Sequence, residues 1–316
     1  MDALTSKSKP LTQPFNWLGS KVRMRRRLYE IFKEIPRTMY IEPFGGSGAV
    51  FFGKEPEPSV YNDREKLLAT FMRELRKEES RRAFKTLAAV SPSCREFFYE
   101  LRAMILSYKA GEDVSDQIVK LKLDDYPVET AVAWGFFYTQ NFAFGGKPLG
   151  ESYGYVRQLE ERGGRMCSAA YYGHVECLDR FAAKLRMTNI ENKDWRDVLE
   201  LYDAPTAFFY LDPPYECKSS KDYSERWRSK DTQELVDALM NLQASFVLSC
   251  YDGELYKPLA DICETRYYDA RTTVCRATSG RGVRKECVYI KNNAPRLFLR
   301  KPCEELTLIP FHEGVL

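Results

Sequence analysis

An α/β fold with buried parallel strands is what this sequence predicts, on three observations. Short apolar runs, above all Ala207–Leu211 and Phe246–Tyr251, have the length and character of strands covered on both faces. Amphipathic helical stretches such as Lys230–Leu242 alternate with them. Glycine turns and acids follow the strand ends, where open α/β sheets bind their ligands.

The 316 residues, 44% of them hydrophobic, suffice for one large domain or a domain carrying a sizeable insertion. No apolar run approaches the ~20 residues that span a membrane, and residues 1–13 are polar and aperiodic, so a flexible N-terminus and a cytoplasmic protein are expected. Nine cysteines without a CxxC pair fit reduced thiols. Two histidines, His174 and His312, are too few for a zinc centre or a Ser-His-Asp triad; both read as structural or surface residues, and no metal is expected. A net charge of +3 does not by itself point to nucleic acid. The run Lys21, Arg23, Arg25, Arg26 and Arg27 is either a solvated helix face or a phosphate-binding patch.

In chain order, Trp17 and Lys21 flank a turn at Gly19–Ser20, and a basic helix is predicted over 22–34. A strand over 38–42 leads into Pro43-Phe44-Gly45-Gly46-Ser47-Gly48, the strand-then-glycine-turn context of a nucleotide-type site. The F-x-G-x-G spacing is neither the dinucleotide fingerprint nor a P-loop. A second strand ends in Asp63, 17 residues after Gly46 (63 − 46), placed either to take ribose hydroxyls or to cap the following helix. Residues 64–125 are charged with helical periodicity. Residues 131–156 interleave aromatics with glycines. They read either as a loop-rich surface for unstacked bases and phosphates, with Asn141, Lys147 and Arg157 as polar contacts, or as a hairpin with a packed aromatic core. A helix over about 175–186 and a strand over 187–191 precede Asp194 and Trp195. Glu286–Ile290 reads as an edge strand, and 293–316 has no clear pattern.

The stretch that concentrates chemistry is Asp212-Pro213-Pro214-Tyr215. The prolines end the strand and stiffen the turn, so a carboxylate, a carbonyl and an aromatic ring are held together at the sheet edge. That set suits methyl transfer to an exocyclic amine. Accepting both amine hydrogens, on the Asp212 carboxylate and the Pro213 carbonyl, lets the nitrogen lone pair leave ring conjugation. The carboxylate also lies where positive charge grows. A base in a duplex must be flipped out to reach such a site, and Tyr215 is placed to stack on it.

Taken together, these residues resemble the Dam-like, D12 class DNA adenine N6-methyltransferases. Trp17-Leu18-Gly19-Ser20-Lys21 is similar to that family's N-terminal cofactor motif, Glu42 to Gly48 to its cofactor loop, and Asp212 to Tyr215 to its catalytic motif. The resemblance runs from about residue 15 to 292, including Val247–Tyr251 and Arg284–Ile290. It implies a Rossmann-like, mainly parallel seven-stranded sheet that uses S-adenosylmethionine, in a catalytic domain of residues 14–69 and 186–316. Residues 70–185 would be an inserted, largely helical target-recognition domain. Carried over, Asp212, Pro213 and Tyr215 would be catalytic. Trp17, Lys21, Phe44, Gly46, Gly48, Asp63, Asp194, Trp195 and Asp212 would hold the cofactor, with Arg23, Asn141, Lys147 and Arg157 on DNA. Ser20 departs from the usual glycine but makes the same turn, whereas the recognition region departs far more. Double-stranded DNA is the implied partner, the chain a monomer or weak dimer, and the setting a prokaryotic cytoplasm, phage- or mobile-element-encoded copies included.

Three other readings compete: methylation of cytosine N4, methylation of adenine in RNA, and a non-catalytic, cofactor-sensing DNA-binding protein. The last needs a damaged motif, and Asp63, Asp212, Pro213 and Tyr215 are all intact. Cytosine C5 chemistry lacks its Pro-Cys nucleophile beside a glycine loop, and a nicotinamide dehydrogenase lacks the glycine spacing.

Overall fold

The computed structural model describes residues 10–91, 93–154, 167–215, 227–271 and 283–295. Seven strands form one sheet in the order β3-β2-β1-β4-β5-β7-β6. These are β1 (Met39–Glu42), β2 (Ser59–Asn62), β3 (Thr188–Glu191), β4 (Ala207–Leu211), β5 (Ser245–Tyr251), β6 (Glu264–Arg271) and β7 (Val283–Lys291). The first five pair in parallel, and β7 runs antiparallel between β5 and β6. The sheet is therefore the mainly parallel, Rossmann-like one expected. One expectation is corrected: Glu286–Ile290 is not an edge. The edge is β6, whose Glu-Thr-Arg-Tyr-Tyr-Asp-Ala-Arg has no apolar run to mark it.

Period-two alternation divides the core into two layers. Tyr40, Tyr61, Phe208, Tyr210, Val247 and Val288 point to one face, and Ile41, Val60, Phe209, Leu211, Leu248 and Tyr289 to the other. The second face is covered by α9 (Trp195–Tyr202) and α10 (Ser229–Asn241). On the first side lie α1 (Arg25–Lys33), α2 (Lys66–Arg76), α3 (Glu78–Val90), α4 (Arg95–Ala110), α5 (Ser115–Lys120), α6 (Val128–Phe142), α7 (Cys167–Glu176) and α8 (Leu178–Lys184), whose buried residues join the apolar cluster of that face. Phe32 of α1 packs edge-on to Phe208 at 5.1 Å.

The helical region shares an apolar core with the sheet. The boundary expected between residues 69 and 70 falls inside α2, and Phe71, Phe84, Phe136 and Phe137 belong to the same apolar cluster as the sheet residues. α2 also covers the sheet's β3 edge, where Arg76 Nη1 donates to Thr188 O at 3.0 Å and Arg73 Nη2 to Ile190 O at 3.3 Å.

The aromatic stretch after residue 130 is corrected too. Thr130–Phe142 is a helix buried on every side, not a loop. Its Gly135 gives close approach to α4, since a Cβ there would lie 2.9 Å from Met104 Cε. Only the segment after it is hairpin-like: Phe144 N donates to Ser152 O at 2.8 Å, and Ala143 bridges Tyr153. The N-terminus is ordered earlier than expected: Leu11 is buried and its carbonyl accepts from Arg25 Nη1 at 2.6 Å.

Candidate active site

The strand order reverses between β1 and β4, and the loops leaving their carboxyl ends open a crevice there. A cavity of about 720 Å³ fills it, lined by the N-terminal turn, the glycine loop, the end of β2, the start of α9 and the turn after β4.

Each wall has a local cause. Gly46 has φ +51°, and a Cβ there would press 3.2 Å from Trp17 Nε1, so only glycine fits this turn without strain. Its N–H donates to Asp63 Oδ2 at 2.8 Å, and Tyr61 OH donates to its carbonyl. Asn62, fully buried at the end of β2, ties two loops together. Its Nδ2 donates to Pro43 O at 2.8 Å, while its Oδ1 accepts from Lys193 N at 2.9 Å. Gln13 Oε1 accepts from Ser20 Oγ at 2.5 Å and Ser47 Oγ at 2.8 Å, which clamps the N-terminal turn onto the glycine loop. Phe44, Trp195 and Trp227 form an aromatic wall, with ring centroids 5.6–6.3 Å apart.

Carboxylates supply the polar floor. Asp63 accepts from Gly46 N and, at 2.8 Å, from Glu65 N. Burial pushes its carboxyl up to about 6 against the pull of those two donors. Glu65, not Asp63, is the α2 cap. Glu42, 2% exposed, accepts from Tyr40 OH, and burial raises it to about 8.

At the rim, Asp212 Oδ1 gathers three donors: Lys21 Nζ at 2.8 Å, Tyr215 OH at 3.0 Å and Ser249 Oγ at 3.3 Å. Ser249 in turn accepts from Tyr210 OH at 3.1 Å. Among the described residues every hydrogen bond to this carboxylate falls on Oδ1. The Tyr215 ring lies 4.3 Å from that of Tyr251, and Lys21 Nζ is 4.5 Å from its centroid. Burial alone would lower the Lys21 ammonium, but the Asp212 and Glu286 carboxylates beside it hold it above its ordinary value.

The structure thus brings Trp17, Lys21, Phe44, Gly46, Asp63, Trp195, Asp212, Pro213 and Tyr215 to one cavity. Other expected residues stand elsewhere. Asp194 caps α9, accepting from Arg196 N at 3.0 Å, and pairs with the Arg196 guanidinium instead of lining the cavity. Gly48 (φ +69°) is outside the lining, and a Cβ there would meet Phe52 at 2.6 Å, so its glycine serves packing. Asn141, expected on DNA, is buried: its Nδ2 donates to Phe137 O at 2.9 Å, and its Oδ1 meets His174 Nδ1 at 2.6 Å. Lys147 is half-buried at the cavity mouth and Arg23 is exposed, while Arg157 lies outside the described residues.

Sequence reasoning missed Gln13, Glu42, Asn62, Trp227 and Glu286. Glu42 alone carried a usable signal, since it ends a buried strand as Asp63 and Asp212 do. No group of side chains suited to a metal ion occurs among the described residues, and no helix among them is long and apolar enough to cross a membrane.

Residues 17–268 match the family model of the D12 class N6 adenine-specific DNA methyltransferases. Comparison with curated proteins gives no match. The matched span exceeds half of the chain and contains both the glycine loop and the Asp212–Tyr215 turn, so the protein belongs to the D12 class N6 adenine-specific DNA methyltransferase family and is a DNA adenine methyltransferase.

Proposed function

We propose that this enzyme takes its methyl group from S-adenosylmethionine and places it on N6 of an adenine flipped out of double-stranded DNA. The observation that carries the reading is the state of Asp212. Its Oδ1 is fixed by three donors, while Oδ2 has no hydrogen bond among the described residues, at the rim of a cavity of about 720 Å³. The carboxylate is immobilised and still has an oxygen for a substrate.

The cavity fits the cofactor in donor set and shape. Trp195, Phe44 and Trp227 offer rings to an adenine, Asp63 offers a carboxylate to ribose hydroxyls, and Gly46 lets backbone approach where a side chain would clash. Asp212 places a carboxylate near a cationic centre. The group supplies, when bound, a methyl carried on a positively charged sulfur.

The rest is done by the protein. Asp212 Oδ2 and the Pro213 carbonyl accept the two hydrogens of the target amine, which turns its lone pair out of the ring plane. The carboxylate charge stabilises the positive charge that develops on nitrogen, and it stands within reach of the proton the amine then sheds. Tyr215, backed by the Tyr251 ring, is the stacking surface for the extruded base.

The test is transfer of labelled methyl from S-adenosylmethionine to unmethylated DNA, wild type beside Asp212→Ala, with the product base identified by mass. N6-methyladenine from the wild type alone, with cofactor binding still measurable in the variant, is the expected result. Label on cytosine N4 would overturn the substrate, and turnover by Asp212→Ala would overturn the mechanism.

A further inference from the structure

Glu286 is a buried carboxylate, 5% exposed, that the chemistry above leaves without a task. It lies on β7 opposite Tyr251 of β5 and Tyr268 of β6. Its Oε1 accepts from Lys21 Nζ at 3.3 Å, and the Tyr215 hydroxyl, whose one hydrogen goes to Asp212 Oδ1, lies 3.3 Å away. The Lys21 ammonium therefore has three acceptors for its three hydrogens: Asp212 Oδ1, Glu286 Oε1 and the Tyr215 hydroxyl oxygen.

Charge decides what this arrangement does. Lys21 facing Asp212 alone would form a neutral pair, and an amine approaching Asp212 would meet a carboxylate already compensated. Positive charge growing on that amine would also stand close to a buried cation with little solvent to screen it. Glu286 adds a second negative charge beside Lys21, so the trio carries a net −1. The interaction is worth most where positive charge is greatest, in the transition state rather than in the bound ground state.

We propose that Glu286 is a positioning residue for methyl transfer: it holds and neutralises Lys21, so that the charge of Asp212 remains available to the target amine. The inference rests on the reading of Asp212 as the amine's acceptor. It requires Glu286 ionised in the working enzyme. Burial and the neighbouring Asp212 charge raise its carboxyl, and Lys21 opposes them. Tyr251 and Tyr268 face it from the flanking strands, Tyr268 carrying Arg27 over its ring at 5.0 Å.

The test is a double-mutant cycle on single-turnover methyl transfer, with wild type, Glu286→Gln, Lys21→Met and the double variant. Glu286→Gln is expected to slow transfer about tenfold or more, with equilibrium affinities for S-adenosylmethionine and DNA unchanged. Glu286→Asp is expected to recover part of the loss. In the Lys21→Met background the Gln substitution is expected to add nothing, because the cation it answers is gone. An independent readout is NMR titration of the Lys21 ε-methylene without substrate, expected to move to lower pH in Glu286→Gln.

Full-rate transfer by Glu286→Gln, or a loss that persists undiminished in Lys21→Met, overturns the proposal. Should the Gln variant not fold, Glu286→Asp is compared with wild type instead: slower transfer at unchanged affinity supports the role, and an unchanged rate overturns it. No N6-methyladenine from the wild type, or turnover by Asp212→Ala, would sink the underlying reading. An active wild type, a dead Asp212→Ala and a fast Glu286→Gln sink this inference alone.

Discussion

The Gly46 amide and the Asp63 carboxylate meet at 2.8 Å, joining the turn after β1 to the end of β2. A sugar hydroxyl needs an acceptor at that carboxylate, and protonation would put a donor there instead. Burial raises Asp63 to about 6, so the change comes close to working pH. Affinity for S-adenosylmethionine is predicted to weaken as pH falls through about 6, and Asp63→Asn to bind more weakly at neutral pH with a flatter profile. Calorimetric titration at several pH values checks this. A flat wild-type profile would remove Asp63 from the ribose role.

Glu42 predicts an effect on stability. Its carboxyl is raised from 4.5 to about 8, chiefly by burial. Between those values the unfolded chain sheds a proton that the folded protein retains, so stability falls as pH rises through this window and levels above it. Glu42→Gln keeps the shape and an acceptor for Tyr40 while removing the titration. Its unfolding free energy is predicted to exceed that of wild type by a margin that widens from about pH 5 to about pH 8, on the order of a few kcal/mol at the upper end. Parallel stability curves for the two proteins would contradict it.

What could be read from the sequence follows from how local each signal is. β4 and β5 announce themselves because strands buried on both faces are continuous apolar runs, and the glycine loop and the Asp212 turn are contiguous in the chain. β6 is polar along its length because it is an edge, and so it has no pattern to find. The α6 helix was hidden for the opposite reason: buried all round, it has no polar face to give a helical period, and Gly135 mimics a loop residue while serving close packing. Lys21 and Glu286, Gln13 and Ser47, and Asn62 and Lys193 meet only through the fold, so no spacing rule links them.

Asn141 gives a prediction that separates structure from recognition. Its Nδ2 is spent on Phe137 O and Pro14 O, so Oδ1 is the acceptor and the His174 Nδ1 carries the hydrogen. Burial pushes His174 down to about 4, which keeps the ring neutral and suits that assignment. Asn141→Ala strands a buried donor and a carbonyl, predicted to cost about 1–3 kcal/mol of stability. DNA affinity and its salt dependence, measured below the unfolding transition, are predicted to stay at wild-type values. A lowered salt slope with undiminished stability would return Asn141 to the DNA surface.

The hairpin-like segment after α6 carries two neighbours with separable roles. Phe144 is 57% exposed at the cavity mouth, an aromatic with no packing reason to face solvent, and Lys147 is half-buried on the same rim. A lysine on a phosphate releases a counterion whatever the sequence, so Lys147→Ala is predicted to weaken binding to all duplexes and to lower the salt slope by about one. An aromatic stacked on an unpaired base does neither. Phe144→Ala is predicted to leave the salt slope unchanged, to lose about 1–3 kcal/mol of the stacking contribution, and to reduce the fluorescence rise of 2-aminopurine placed at the target adenine. Equal loss of salt dependence in both variants would show that the rim acts only through charge. An unaltered fluorescence rise in Phe144→Ala would show that base extrusion is supported elsewhere.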